Sequence, residues 1–143
     1  MNIREMKITD YQSVIELMQK TPGVTVRDAD SEEATFRYLD RNPGLSFVAE
    51  DSGNIFGCIM CGHDGRRGYL QHLIVSPEHR RKGIAKKMVS LCIEQLEKLG
   101  IVKTHIDVLV INETAIQYWK NIGWEKREDI CRFSFIKTKA LNA

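Results

Sequence analysis

Hydrophobic residues recur along this chain at two spacings, and the points where the spacing changes mark its elements. Residues 2–6 alternate and predict a short first strand. Thr9-Asp10-Tyr11-Gln12 has the layout of a capping box and opens a helix with Tyr11, Val14, Ile15 and Met18 on one side, ended by Pro22-Gly23. A second cap at Asp30-Ser31-Glu32-Glu33 begins a helix whose apolar positions are Phe36 and Leu39, running to Asn42-Pro43-Gly44. Alternation returns over 45–50, 55–62 and 69–75. The intervening Asp51-Ser52-Gly53-Asn54 and Asp64-Gly65-Arg66-Arg67-Gly68 have turn composition, so four consecutive antiparallel strands are expected. If Gly65 and Gly68 flank the second turn, Gly62 pairs with Gln71 and Cys61 with His72.

Beyond residue 83 the spacing becomes helical. Ile84, Met88, Cys92, Leu96 and Leu99 make one apolar stripe, and Gly100 stands where a left-handed helix end is wanted. The run 104–111 is almost continuously apolar and predicts a strand buried on both faces. A helical crossover joins it to the strand over 69–75, so the two run parallel. Asn112 caps a last helix bearing Ala115, Trp119 and Ile122, which stops at Gly123. Residues 124–127 and 131–137 predict a closing antiparallel hairpin, and 140–143 a frayed tail. The expected architecture is one α/β (α+β) domain over residues 1–143. It has four helices and a mixed, mostly antiparallel sheet of six to seven strands, with strands four and five parallel and splayed.

Composition narrows the class. At 143 residues the chain can bury about two thirds of its unfolded surface as a single domain. With 43% hydrophobic and 28% charged residues it reads as soluble and globular. The net charge of +2 gives little drive toward nucleic acid, and no apolar run is long enough to span a membrane. Met1-Asn2-Ile3-Arg4-Glu5 lacks the features of a signal peptide, so a cytoplasmic protein is expected. Cys58, Cys61, Cys92 and Cys131 lie in apolar runs, which fits buried reduced thiols. Cys58 and Cys61 point to opposite faces of a strand, and no second pair stands at finger-like spacing, so no metal is expected.

Candidate chemistry gathers at Val75-Ser76-Pro77-Glu78-His79-Arg80-Arg81-Lys82-Gly83-Ile84-Ala85-Lys86, a strand, a basic turn and a helix start. The first backbone N–H groups of a helix have no intrahelical acceptor and carry the positive end of the helix dipole. Gly83 lets a ligand approach the backbone, Ala85 adds only a methyl, and Arg80, Arg81, Lys82, Lys86 and Lys87 supply positive charge. A phosphate or pyrophosphate suits this turn. Neither a P-loop nor a Gly-x-Gly-x-x-Gly string is present, and by itself the turn equally reads as a solvated basic helix start.

Arg80-Arg81-Lys82-Gly83-Ile84-Ala85 resembles the Gln/Arg-x-x-Gly-x-Gly/Ala signature of the GNAT superfamily of acyl-CoA-dependent N-acyltransferases, in its small bacterial-type form. The likeness extends upstream through His63-Asp64-Gly65-Arg66-Arg67-Gly68 to Pro77. Downstream it continues through Asn112-Glu113-Thr114-Ala115 to Ile122-Gly123-Trp124, in the family's order and spacing. It implies acetyl-CoA as co-substrate: diphosphate on the turn at 80–86, pantetheine arm added to Leu73, Ile74 and Val75 like an extra strand, and contacts from Asn112 and Trp119. It also implies that the first two helices form a variable lid over the acceptor, where Asp28, Asp30, Glu32 and Glu33 either attract a cationic amine or are a solvated helix start.

The reaction so implied is direct acetyl transfer to a primary amine of a small molecule or peptide. It needs a route for the amine proton, donors for a developing oxyanion and an acid for the thiolate. The family's acidic tyrosine falls at Trp119, one position after Tyr118. One residue is about 100° around a helix, so Tyr118 serves only if that helix is rotated or starts a residue off register. On the fourth strand Tyr69 and Gln71 share the parity of Leu73 and Val75 and are the base-side candidates. Neither is a carboxylate or imidazole, which favours deprotonation through water. His72, of opposite parity and across from Cys61, reads as a packed histidine, and His79 as an exposed one. Two alternatives remain open: a protein N-terminal or lysine acetyltransferase, and a catalytically weak acyl-CoA-binding sensor or interaction module. The acceptor, and whether the chain forms a homodimer, are not legible.

Overall fold

The computed structural model of the protein describes residues 1–139 and 142–143; the tail expected at 140–143 falls partly on the two residues outside that description. In chain order the elements are β1 (Asn2–Glu5), α1 (Tyr11–Lys20), α2 (Glu32–Arg41), β2 (Phe47–Asp51), β3 (Asn54–His63), β4 (Gly68–Val75), α3 (Ile84–Lys98), β5 (Thr104–Ile106) and α4 (Glu113–Asn121). They fall into two compact units, Met1–Ile106 and Asp107–Ala143.

The first unit is built on one sheet in the order β1-β2-β3-β4-β5. The first three pairings are antiparallel and β4–β5 is parallel, as the crossover through α3 requires. α1 lays Val14, Ile15 and Met18 on a buried cluster with Val48, Cys58, Met60 and Ile74. The alternate positions of β3 meet α3, where a Cβ added to Gly57 would lie 3.4 Å from Met88 Cε. Ile84, Met88, Cys92 and Leu96 are buried as the stripe predicted. Leu99 is 55% exposed because α3 ends at Lys98, and Ile101 fills its place at 4% exposure. Gly100, at φ 81°, donates to Glu97 O and Ile101 donates to Leu96 O, a Schellman closure.

Five strands are described where six to seven were expected. β5 covers only Thr104–Ile106, and the apolar run beyond it turns at Val110 and Ile111, each 83% exposed. The expected closing hairpin over 124–137 carries no strand among the described residues; Phe133 and Phe135 are 94% and 89% exposed. Alternation supplies a sided ribbon, but a strand exists only where a neighbouring backbone accepts its hydrogen bonds.

Three local expectations also change. Phe36 is 53% exposed, and Thr35 is the buried residue of α2, whose cap is Ser31 accepting from the Ala34 N–H at 3.1 Å. α1 follows a 3-10 turn over Ile8–Asp10 that Asp10, not Thr9, closes, its Oδ2 accepting from the Lys7 N–H at 2.8 Å. The β3–β4 hairpin pairs Gly62 with Tyr69 and Cys61 with Leu70. Asp64 causes this shift: its Oδ1 accepts from the N–H groups of Arg66 and Arg67, both at 2.8 Å, so the turn spans 64–67 and Gly68 is already strand.

β1 is fastened by Arg4, whose guanidinium donates to both Asp10 oxygens at 2.8 Å and to Glu50 at 3.1 and 3.2 Å. That guanidinium, chiefly, holds the Asp10 carboxyl below the usual carboxylate range against the opposing effect of burial. A carboxyl depressed in the folded state stabilises it above the ordinary carboxylate value, and that stability is lost as pH falls through the folded value. Asp10→Asn should therefore lower the urea midpoint at pH 7 and flatten its decline between about pH 5 and pH 3.

Candidate active site

β4 is not a continuous ribbon. Met60 pairs with Gln71 and Cys58 with Ile74, so His72 and Leu73 together stand opposite Ile59, and His72 takes a left-handed φ of 52°. One extra residue in a strand reverses which face every later residue points to. Cys58 and Met60 share a face; so, therefore, do Gln71 and Ile74. The expected parity of Tyr69 and Gln71 with Leu73 and Val75 fails at this bulge. Gln71 is exposed, and Tyr69 is half-buried with its hydroxyl 3.4 Å from Asp64 Oδ2 and its ring 5.7 Å from that of His105.

The bulge turns His72 toward the α1 side of the sheet, where its Nε2 lies 2.8 Å from Asp30 Oδ1. Asp30 is 9% exposed, ending a 3-10 turn over Asp28–Asp30. Its Oδ2 accepts from the Arg27 N–H at 2.8 Å and its carbonyl from the Tyr11 hydroxyl at 2.7 Å. Burial opposes its ionisation, but the His72 ring and the Arg27 amide together hold its carboxyl below the ordinary value. Sequence reading missed this pair. Forty-two residues separate its members, and only the bulge removes His72 from the parity first assigned to it.

β5 pairs with β4 only from Gly68 to Leu70, so on that side the backbone of residues 71–75 has no strand partner among the described residues. β4 leads through a 3-10 turn over Pro77–His79 into the basic segment. His79, expected exposed, is half-buried; its ring stacks on Phe56 at 3.8 Å and its Nδ1 lies 2.8 Å from Ser76 Oγ. Arg80 is partly committed to the protein, its Nε donating to Val75 O at 2.9 Å. Arg81 and Gly83 both take left-handed backbone, at φ 65° and 76°.

That conformation turns the chain into α3, whose N-terminus has no side-chain cap. The Lys87 N–H donates to Gly83 O at 3.0 Å, the first bond of the helix, so the amides of Ile84, Ala85 and Lys86 lack intrahelical acceptors. A Cβ at Gly83 would meet no atom within 4 Å; the space before these amides is open. Arg81, Lys82, Lys86 and Lys87 are exposed around it, while Ile84 and Ile74 are buried anchors, each 3% exposed. Unclaimed amides, open space and a ring of cations fit a diphosphate.

In the second unit, Asn112 caps α4, its Oδ1 accepting from the Ala115 N–H at 3.1 Å. Gly123 donates to Lys120 O and Trp124 to Trp119 O, closing the helix as Gly100 closes α3. This closure brings the Trp119 ring to 4.6 Å from that of Trp124, and Trp119 is 7% exposed. Tyr118 meets the Trp119 ring edge-on at 5.3 Å and lines a shallow hollow with Glu113, Thr114, Gln117 and Asn121. Its hydroxyl has no hydrogen-bond partner among the described residues, and burial raises its pKa.

The model of the Acetyltransferase (GNAT) family matches residues 11–124. An acetyltransferase of Sodalis glossinidius is 31% identical over 130 residues, 91% of either chain. Among solved structures, the PaiA N-acetyltransferase of Thermoplasma acidophilum in complex with coenzyme A superposes with a TM-score of 0.75 at 20% identity, over 85% of this chain and 87% of that one. AAC(6')-Iy in complex with the bisubstrate analog CoA-S-monomethyl-acetylneamine gives 0.72 at 21% identity, over 94% and 97%. With its parallel β4–β5 pair, its uncapped α3 and these likenesses, the chain belongs to the acetyltransferase (GNAT) family of acyl-CoA-dependent N-acetyltransferases.

Proposed function

We propose that the protein transfers the acetyl group of acetyl-CoA directly to a primary amine of a small molecule or peptide, residues 1–143 acting as one domain. The joint between β4 and α3 carries this reading. It offers uncapped amides at Ile84, Ala85 and Lys86 beside an open left-handed Gly83, next to a β4 backbone free of β5 beyond Leu70. In this reading the amides and the Arg80, Arg81, Lys82 and Lys86 side chains hold the diphosphate. The pantetheine arm adds to the backbone of Leu73, Ile74 and Val75, which explains why Ile74 can be a core residue and still serve.

Acetyl-CoA supplies an activated acyl group and a leaving thiolate. Tyr118 is the one phenol on α4 and is protonated at neutral pH with its hydroxyl unpartnered among the described residues; because Asn112 caps α4 as expected, its role as acid to that thiolate requires α4 to be turned toward the arm. A second reading, a weak acyl-CoA-binding sensor, is favoured by one observation. Trp119 holds the position of the family's tyrosine and is packed on Trp124. Free thiol released from acetyl-CoA in the presence of an amine separates the two.

Isothermal calorimetry should show acetyl-CoA binding. Gly83→Glu should abolish it by filling the space before the amides, whereas Gly83→Ala should keep binding and lose about 1 kcal/mol of stability to backbone strain. A wild-type protein giving no heat at millimolar acetyl-CoA would refute the proposal. With an amine panel of polyamines, amino acids, aminoglycosides and N-terminal peptides, Tyr118→Phe should cut kcat about tenfold or more at unchanged acetyl-CoA affinity. An unchanged kcat would assign the thiolate's proton to water.

A further inference from the structure

Direct transfer to an amine requires that a proton leave nitrogen, because an alkylamine is largely protonated at neutral pH. Tyr69 and Gln71 do not meet this need. Gln71 has no basic atom, and the Tyr69 hydroxyl, 3.4 Å from the Asp64 carboxylate, is a donor rather than a base. Of the four histidines, His63 accepts from the Gly65 N–H through Nδ1, His79 is stacked on Phe56 with Nδ1 on Ser76, and His105 packs on Tyr69. Among the described residues, His72 is the one histidine oriented by a carboxylate.

We propose that His72 is the general base of the acetyl transfer, acting through Nδ1, and that Asp30 is its positioning residue. The inference rests on the acetyl-CoA reading above and names a residue for it. Two observations carry it. The first is geometric: Asp30 Oδ1 holds Nε2 at 2.8 Å, while Nδ1 has no hydrogen-bond partner among the described residues. An imidazole held in this way has a fixed tautomer, a proton on Nε2 and a lone pair on Nδ1. The second is the strained backbone. A histidine with φ 52° at a one-residue bulge lies in a region that costs energy for any residue with a Cβ, and such strain gathers where a side chain must be aimed.

The groups around His72 are accounted for. From α1, Tyr11 binds the Asp30 carbonyl, its own pKa raised by burial and by Glu32 and Asp30. From the lid, Arg27 gives its main-chain N–H to Asp30 Oδ2, with Asp28 beside it. From β3, the Cys58 thiol lies 3.4 Å from the His72 carbonyl, its pKa pushed up to about 12 by burial. With Asp30 lowered and Tyr11 and Cys58 raised, none of these three groups changes charge in the neutral range.

In the step, the nitrogen–acyl carbon bond forms as the carbon–sulfur bond breaks with its electron pair on sulfur. Nδ1 first takes the proton whose loss makes the ammonium a neutral amine and passes it to bulk water; the second proton, shed by nitrogen as the amide forms, leaves by the same route, and sulfur takes a proton from a phenol or from water. Asp30 stays ionised throughout and stabilises the imidazolium.

Asparagine tolerates left-handed backbone, so His72→Asn removes the base while keeping the bulge. The expected result is a kcat about 100-fold lower, with acetyl-CoA affinity by calorimetry unchanged and the acid limb of the kcat/KM profile gone. Asp30→Asn should lower kcat about tenfold and move that limb to lower pH, because the imidazolium loses its counter-charge. In the free protein, 15N NMR of histidine-labelled material should find the proton of neutral His72 on Nε2. His72→Asn turning over within threefold of wild type, or an Nδ1–H tautomer in the free protein, would overturn the assignment while leaving the acetyltransferase reading intact. Acetyl-CoA binding without thiol release in wild type, with any amine, would defeat the parent reading and this one with it.

Discussion

One surplus residue in β4 governs what the rest of the sheet can do. Upstream of it Leu70 faces Cys61 and Gln71 faces Met60; downstream the order is reversed, so that Ile74 enters the α1 core opposite Cys58. The inserted position falls on His72, which therefore faces the α1 side rather than the α3 side and meets Asp30. Without the bulge, the same alternation would put His72 on the face of Leu70 and Cys61, among apolar neighbours with no carboxylate in reach. The strain at φ 52° is offset by the hydrogen bond to Asp30 and by the pairing that resumes at Ile74.

The joint between β4 and α3 depends on the same strand continuing straight after its bulge. Val75 accepts from Arg80, Ser76 meets His79, and the His79 ring lies flat on Phe56 of β3. These contacts fix the 3-10 turn before the left-handed Arg81 and Gly83, so α3 starts in one direction with its first amides unclaimed. At the other end of α3 a Schellman closure at Gly100 redirects the chain into β5. The short parallel pairing that follows, Gly68 to Leu70 with Thr104 to Ile106, leaves the β4 backbone beyond it available. Gly68 makes that pairing possible, since a Cβ there would lie 2.8 Å from Thr104 Oγ1 and 2.6 Å from Leu96 Cδ1.

Trp119 illustrates a competition between packing and chemistry on one helix. The Schellman closure at Gly123 brings the third residue from the end of α4 against the third residue after it, and these are Trp119 and Trp124. A tyrosine at 119 would be drawn into the same contact. The phenol one position earlier escapes it and keeps its hydroxyl unpaired in a separate hollow.

Periodicity alone was enough to read the four helices, the first four strands, the antiparallel order and the parallel crossover, because each depends on local spacing and on chain direction. The geometry of the basic turn was legible for the same reason: an uncapped helix start after a left-handed glycine needs only consecutive residues. Asp64 set the hairpin register locally, by binding two amides two and three residues on, a turn chemistry that apolar periodicity does not carry. Two things were decided by tertiary structure: β5 and the alternating segment after 124 stopped short where no neighbouring backbone was there to pair, and the bulge joined His72 to a carboxylate forty-two residues away. Each depends on hydrogen-bond partners distant from the residues that need them or on a break in the period, and a repeating pattern of apolar and polar positions encodes neither.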